Sequence, residues 1–201
     1  MGAIKHLAQY LAGTRNLGII LDATEDFSFT SIHDAGYGNI ELDRRSASGC
    51  VILINKSPIF FSACKQKIVA LSSAEAEYVS LSSNLRTTLW FYNLLSEIKK
   101  YTSIPIEIKP RILTDSKPAI AMITSDSNER NKSRHIDIRF HWIKQLFRNE
   151  DFALEWVQSK ENTADLLTKR HANITLFNTM RDTIMSNVEE VQGSVDENLW
   201  S

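Results

Sequence analysis

Apolar residues recur along this chain with two different periods, and the order of those periods predicts an architecture. Residues 3–12 carry Ile4, Leu7, Ala8 and Leu11 at helical spacing, and Gly13 supplies a stop. Residues 18–21 have the composition of a short strand. Residues 27–34 are rich in β-formers and run into the turn-prone Gly36-Tyr37-Gly38-Asn39. Residues 48–54 and 59–63 are two more strand candidates, separated by the tight Asn55-Lys56-Ser57-Pro58 connection. Three strands joined by short turns predict an antiparallel meander.

The period then changes. Ser72-Ser73 offers an N-cap, and Ala74, Tyr78, Leu81, Leu85, Leu89 and Tyr92 follow helical spacing through 74–98. A strand is predicted over 106–114 and a short helix over 116–123, with Pro118 in its first turn, where a missing N–H costs little. After a polar stretch, 125–133, Ile136, Phe140, Ile143 and Phe147 mark a helix over 134–148. A fifth main strand is predicted over 152–157, a helix opening over 162–168, and a last helix over 175–188. The order β-β-β-α-β-α-α-β-α predicts an α/β fold with a mixed sheet and helices on both faces.

Composition adds little to this picture until it is read locally. The 201 residues suffice for one domain, and a 43% hydrophobic content is ordinary for a globular chain. The net charge of −1 masks an asymmetry: residues 189–201 hold four acids and no Lys or Arg, whereas 129–148 hold six Lys or Arg against two acids. The first segment is expected to be disordered. The second can meet phosphates, although a solvated helix face explains it equally well. Cys50 and Cys64 form no metal-binding pair and are expected to be buried free thiols in a reducing compartment. With no basic leader and apolar core, and no run of about 18 apolar residues, neither secretion nor a membrane partner is expected.

Several acids sit where a core would not place them. Asp34 ends the first main strand. Asp115 follows Ile112-Leu113-Thr114, at the carboxyl end of a buried strand, where ligand sites of open α/β sheets collect. Asp165 opens the element after the last strand. Any one of them alone is well explained as a cap or first-turn acid. Three together, with a helical Glu, suggest a site. Glu75 and Glu77 lie roughly 200° apart around a helix, so only one can join it. Helical geometry leans toward Glu77 without settling the choice. Four converging carboxylates need a cation, and hard oxygen ligands select Mg2+ or Mn2+ over zinc. His135 and His141, roughly 240° apart on one helix, cannot share an ion. His33 alternates away from Asp34 on its strand. Trp90, Phe91, Trp142 and Phe147 are expected in the core.

A run of blocks now becomes informative. Asp34-Ala35-Gly36-Tyr37-Gly38, Asp43-Arg44-Arg45-Ser46-Ala47-Ser48-Gly49, Ala70-Leu71-Ser72-Ser73-Ala74-Glu75-Ala76-Glu77-Tyr78, Thr114-Asp115-Ser116, Arg134-His135-Ile136-Asp137-Ile138-Arg139-Phe140-His141 and Ala164-Asp165-Leu166-Leu167-Thr168-Lys169 occur in that order. Together they resemble the ribonuclease H region of copia-type LTR retrotransposon polyproteins, from about residue 28 to 170. Residues 3–21 resemble the tail of the preceding reverse transcriptase region. The resemblance implies a ribonuclease H-like fold, a five-stranded mixed sheet of three antiparallel then two parallel strands flanked by helices. It implies cleavage of the RNA strand of RNA/DNA hybrids with two Mg2+ or Mn2+ ions, leaving a 3′-hydroxyl and a 5′-phosphate. Carried over, Asp34 would bridge both ions, Asp165 would help hold the one that activates water, and Glu77 and Asp115 the other. The same match picks Glu77 over Glu75. Arg45, Ser46, Lys65, Lys67, Ser116, Arg134, His135 and Arg139 become candidate nucleic-acid contacts.

The implied layout is a reverse transcriptase remnant over 1–24, a ribonuclease H-like domain over 25–171, a C-terminal helix over 172–188 and an acidic tail over 189–201. The implied setting is intracellular, in a cytoplasmic virus-like particle or the nucleus, with the reverse transcriptase domain as a possible partner. Three departures stand out. Gly36 and Tyr37 occupy positions where many members have Asp and Trp; Arg170 follows Lys169 where many have Pro; and residues 157–162 contain no His. An alternative is a catalytically silent or domesticated nucleic-acid-binding or scaffold protein.

Overall fold

The computed structural model describes residues 2–21, 27–40, 43–102, 108–125, 134–148 and 152–187, with the backbone alone for 134–140. The predicted acidic tail lies outside the described residues. In chain order the elements are α1 (Gly2–Gly13), β1 (Leu17–Gly18), β2 (Phe29–Gly36), β3 (Ala47–Ile54), β4 (Ser57–Lys65), α2 (Ser73–Tyr101), β5 (Arg111–Thr114), α3 (Lys117–Thr124), α4 (Arg134–Arg148), β6 (Ala153–Trp156), α5 (Ile174–Asp182) and β7 (Ser186–Asn187). Two 3-10 turns, Ser159–Glu161 and Thr163–Leu167, sit between β6 and α5.

The main sheet has the order β4-β3-β2-β5-β6. Strands β2, β3 and β4 pair antiparallel, and β5 and β6 join parallel to β2. This is the ribonuclease H-like arrangement that the resemblance implied. Asn55 makes the β3–β4 turn with φ of 57° and caps it by accepting from the Ser28 N–H at 2.9 Å.

Every residue of the central strand β2 is buried, because both faces of the sheet are covered. On one face Tyr78, Leu81 and Leu85 of α2 meet Ile112, Ile123, Ile143 and Phe152, with Trp142 and Phe147 packed against them. On the other, Ile32 and Val51 pack on Ala164, with Leu167 alongside. Helix α2 carries a second buried stripe: Ala76, Ser80, Asn84 and Thr88, each four residues apart. Their small side chains bring the helix close to the sheet and bond it there. Ser80 Oγ donates to the Asp34 carbonyl at 2.7 Å, Asn84 Nδ2 to the Gly49 carbonyl at 3.3 Å, and Thr88 Oγ1 meets Ser31 Oγ at 2.8 Å.

Six expectations need correction. The helix predicted over 175–188 ends at Asp182; Thr183 Oγ1 donates to the Met180 carbonyl at 2.6 Å, and Ser186 then pairs with Gly18. That pairing also confines the 18–21 strand to Leu17–Gly18. In place of the helix predicted over 162–168 stands the 3-10 turn Thr163–Leu167, where Asn162 Oδ1 caps the Ala164 N–H at 3.2 Å and Thr168 Oγ1 bonds back to the Asp165 carbonyl at 3.3 Å. Strand β5 begins only at Arg111, after Pro110, which has no N–H to give a ladder. Cys64 is exposed, unlike Cys50, since it lies near the end of the edge strand β4. Trp90 is 58% exposed rather than in the core; it turns outward from α2 and meets Phe91 edge-on at 4.8 Å.

Gly49 on β3 carries the first prediction. A Cβ there would lie 2.7 Å from the Ala164 carbonyl oxygen and 2.6 Å from Thr168 Cγ2. Gly49→Ala must push the Thr163–Leu167 turn off the sheet. It is expected to cost about 2 kcal/mol, as overpacking does, read as a lower denaturant midpoint with the slope unchanged. An unchanged midpoint would mean that the turn is not seated on β3.

A candidate metal centre at the carboxyl ends of parallel strands

The site follows from strand register. In the parallel β2–β5 pair, His33 stands opposite Thr114. Extending that register by one residue sets Asp34 beside Asp115. Successive residues alternate faces, so His33 turns the other way and is fully buried, with Nε2 2.9 Å from Ser31 Oγ. Burial without a charge partner pushes the His33 imidazole down to about 3, so it is neutral.

Glu77 arrives from the second turn of α2. Ser72 caps that helix by accepting from the Glu75 N–H at 3.1 Å, and Glu75 folds back to accept from the Leu71 N–H at 2.7 Å. Glu75 is thereby used in the cap, and Glu77 is the carboxylate that faces the strands. One oxygen from each of Asp34, Glu77 and Asp115 lies within 4.8 Å of the others. Asp34 is fully buried, and Glu77 Oε2 is buried with no hydrogen-bond partner. Burial, and then the charges of Asp34 and Asp115, push the Glu77 carboxyl up to about 9. Burial likewise raises Asp34, although the Thr168 hydroxyl and the Lys169 ammonium hold it down in part.

Asp165, the fourth predicted acid, stands on the far side of Asp34 and outside that trio. Its turn is tied to β2 by Asn162, whose Nδ2 donates to the His33 carbonyl at 3.0 Å. Thr168 Oγ1 donates to Asp34 Oδ2. Lys169 Nζ pairs with Asp165 Oδ1 and lies 3.4 Å from Asp34 Oδ1. His171 Nε2 is 3.3 Å from Asp165 Oδ2. Sequence reasoning assigned no role to Asn162, Thr168, Lys169 or His171. The Asp-x-x-x-Lys spacing of 165 and 169 was the available signal, since a one-turn separation brings the two side chains together.

The departure at Gly36 has a steric cause. A Cβ at Gly36 would lie 2.5 Å from the Thr168 carbonyl oxygen and 2.2 Å from Asn39 Nδ2, where Asn39 donates to that carbonyl. A side chain at 36 and the close approach of the 163–168 turn exclude each other.

The predicted nucleic-acid contacts fall into three groups. Lys65 and Arg45 flank Asp43, at 2.7 and 3.4 Å, beside an exposed Lys67. Ser46 is fully buried, with Oγ accepting from the Gly38 N–H at 3.1 Å, so it shapes the loop rather than meeting a ligand. Ser116 caps α3 by accepting from the Ala119 N–H at 3.2 Å. The side chains of Arg134, His135 and Arg139 lie outside the described residues. Trp156, 46% exposed, was not anticipated: its Nε1 donates to the Asp115 carbonyl at 3.0 Å, and Lys117 Nζ sits 4.5 Å from its ring centroid.

No family model matches the chain. Its sequence is 30% identical over 167 residues to the retrovirus-related Pol polyprotein from transposon RE1 of Arabidopsis thaliana, covering 83% of this chain and 11% of that one. It is 28% identical over 170 residues to the corresponding polyprotein from transposon TNT 1-94 of Nicotiana tabacum, covering 83% and 12%. Among solved structures, LC11 ribonuclease H1 from a compost metagenome aligns with a TM-score of 0.46 at 16% identity, over 70% of this chain and 92% of that one. Over 83% of its length, then, the chain is homologous to the Pol polyproteins of copia-type retrotransposons, of which it spans little more than a tenth.

Proposed function

We propose that this domain is a metal-dependent endoribonuclease that cleaves the RNA strand of RNA/DNA hybrids, leaving a 3′-hydroxyl and a 5′-phosphate. The observation that carries the reading is the convergence of Asp34, Glu77 and Asp115 from three separate elements, with Glu77 Oε2 buried and unpartnered. Three carboxylates so placed repel one another, and an all-oxygen donor set suits Mg2+ or Mn2+. Asp34, Glu77 and Asp115 would hold one ion, and Asp34 with Asp165 a second. Bound there, divalent cations supply an activated water and stabilise charge on the leaving oxygen.

The chain's own residues supply position and exclusion. Ser80 and Asn162 fix the backbone on either side of Asp34, and Thr168 orients its carboxylate. Trp156 holds the carbonyl of Asp115. Lys65, Lys67 and Arg45 present positive charge toward a polyanion, and the hybrid is read through backbone shape rather than base identity. The layout proposed is a ribonuclease H-like domain over 25–171, preceded by a reverse transcriptase tail over 1–24. The reverse transcriptase domain is its partner, in an intracellular particle or the nucleus. Among the described residues no helix is long and apolar enough to cross a membrane.

The test is cleavage of an end-labelled hybrid in Mg2+ and in Mn2+. Wild type is expected to cut, and Asp115→Asn to lose cleavage by on the order of a hundredfold or more. If wild type and variant are equally inert yet both bind hybrid, the protein is a silent binding module.

A further inference from the structure

The acidic centre is lopsided. Asp34, Glu77 and Asp115 converge with a buried carboxylate oxygen left unpartnered. On the other side of Asp34, the Asp34–Asp165 pair already has a cation: Lys169 Nζ contacts Asp165 Oδ1 and lies 3.4 Å from Asp34 Oδ1.

Local structure puts the lysine there. The Lys169 N–H donates to the Asp165 carbonyl at 3.1 Å, closing one helical turn, so the two side chains share a face. The neighbouring Thr168 hydroxyl is bonded to the other oxygen of Asp34. The ammonium therefore lies between two carboxylates that are almost wholly shielded from water, while 43% of the lysine side chain remains exposed. A flexible, half-exposed stem can withdraw into solvent without disturbing the fold.

We propose that Lys169 is a built-in counter-ion that takes the place of the second divalent cation in the resting domain. The inference rests on the metal-dependent reading above. It gives the centre two unequal positions: the Asp34–Glu77–Asp115 trio, which no side-chain cation among the described residues fills, and the Asp34–Asp165 pair, which is entered only by displacing the ammonium. A displaced Lys169 remains at the rim, where a phosphate of the incoming strand can take over its charge. Loading of the second position is thereby coupled to arrival of a polyanion.

The experiment counts Mn2+ bound to the full chain by the paramagnetic resonance of the free ion, without substrate. Wild type is expected to bind one Mn2+ per chain, with a second at least tenfold weaker. In Lys169→Met the second affinity should rise at least tenfold, whereas Lys169→Arg, which keeps the charge, should behave as wild type. Should Lys169→Met fail to fold, Lys169→Gln removes the charge but keeps a donor for Asp165, and is expected to show the same gain. Equal first and second affinities in wild type, or no gain in the folded neutral variant, would overturn the role of Lys169 while leaving the metal reading intact. If wild type binds Mn2+ no better than Asp115→Asn at the first position, the metal reading itself fails, and this inference with it.

Discussion

Asp34→Asn is expected to lower hybrid cleavage by on the order of a thousandfold, about 4 kcal/mol of transition-state stabilisation, while leaving the metal-free protein at least as stable as wild type. The two halves of this prediction have one cause. Among the described residues, Asp34 is the acid that joins the two halves of the centre, facing Glu77 and Asp115 on one side and Asp165 through Lys169 on the other. It is also fully buried, and burial is the largest influence on its carboxyl, pushing it upward. An amide of the same shape still accepts from the Thr168 hydroxyl but brings no charge into the site. It therefore removes repulsion from Asp165 and Asp115 at the cost of one contact to Lys169, which keeps its pairing with Asp165.

The measurement is a pair of melts with and without Mg2+, beside the cleavage assay. A ligand that binds only the folded state raises its melting temperature. Wild type should gain from Mg2+ and Asp34→Asn should not. A variant that melts well below wild type in chelator, or that retains cleavage, would show that Asp34 is a structural acid.

The sheet was legible in the sequence because its signals are short-range. Runs of β-formers over 27–34, 48–54 and 59–63, a tight turn at 55–58 and a change of period at Ser72 define three antiparallel strands and the long helix. The acids at 34 and 115 stood out for the same reason, as charges ending apolar runs. What was hidden depends on contacts far apart in the chain. Ser80, Asn84 and Thr88 look like a solvent face, yet they are buried because each finds a partner on the sheet. The Thr163–Leu167 turn and Thr168 lie against Gly36 and Gly49, more than a hundred residues earlier, a contact that no local pattern announces. Helical geometry only leans toward Glu77 over Glu75, and the resemblance is what picks Glu77. The capping role of Glu75, bonded back to the Leu71 N–H, is the physical reason that it takes no part in the site.

Glu77→Gln should uncouple stability from pH. In chelator, the wild-type melting temperature is expected to fall between pH 6 and pH 9, by about 2–4 kcal/mol of stability or roughly 5–10 °C, and the variant's to stay flat. The folded Glu77 carboxyl is pushed up to about 9, by burial first and by Asp34 and Asp115 next, from the 4.5 of a free glutamate. Between those values the folded chain holds a proton that the unfolded chain has released. The stabilisation is complete below the lower value and is lost as pH rises through the upper one. Buried, neutral His33 acts in the opposite sense: its folded value of about 3 lies below the unfolded 6.5, so its contribution is lost as pH falls. Metal-free stability should therefore be greatest near pH 6. A divalent cation changes the sign on the alkaline side, because it binds the deprotonated carboxylate and its affinity climbs as the Glu77 proton leaves. Wild type with Mg2+ should thus hold its melting temperature toward pH 9, where the chelated protein weakens. Glu77→Gln, with no proton to exchange, should lose both the alkaline slope and most of the Mg2+ gain. A wild-type profile that is flat in chelator, or a slope that persists in the variant, would mean that Glu77 is ionised in the resting site and that the three carboxylates are held apart by something other than a shared proton.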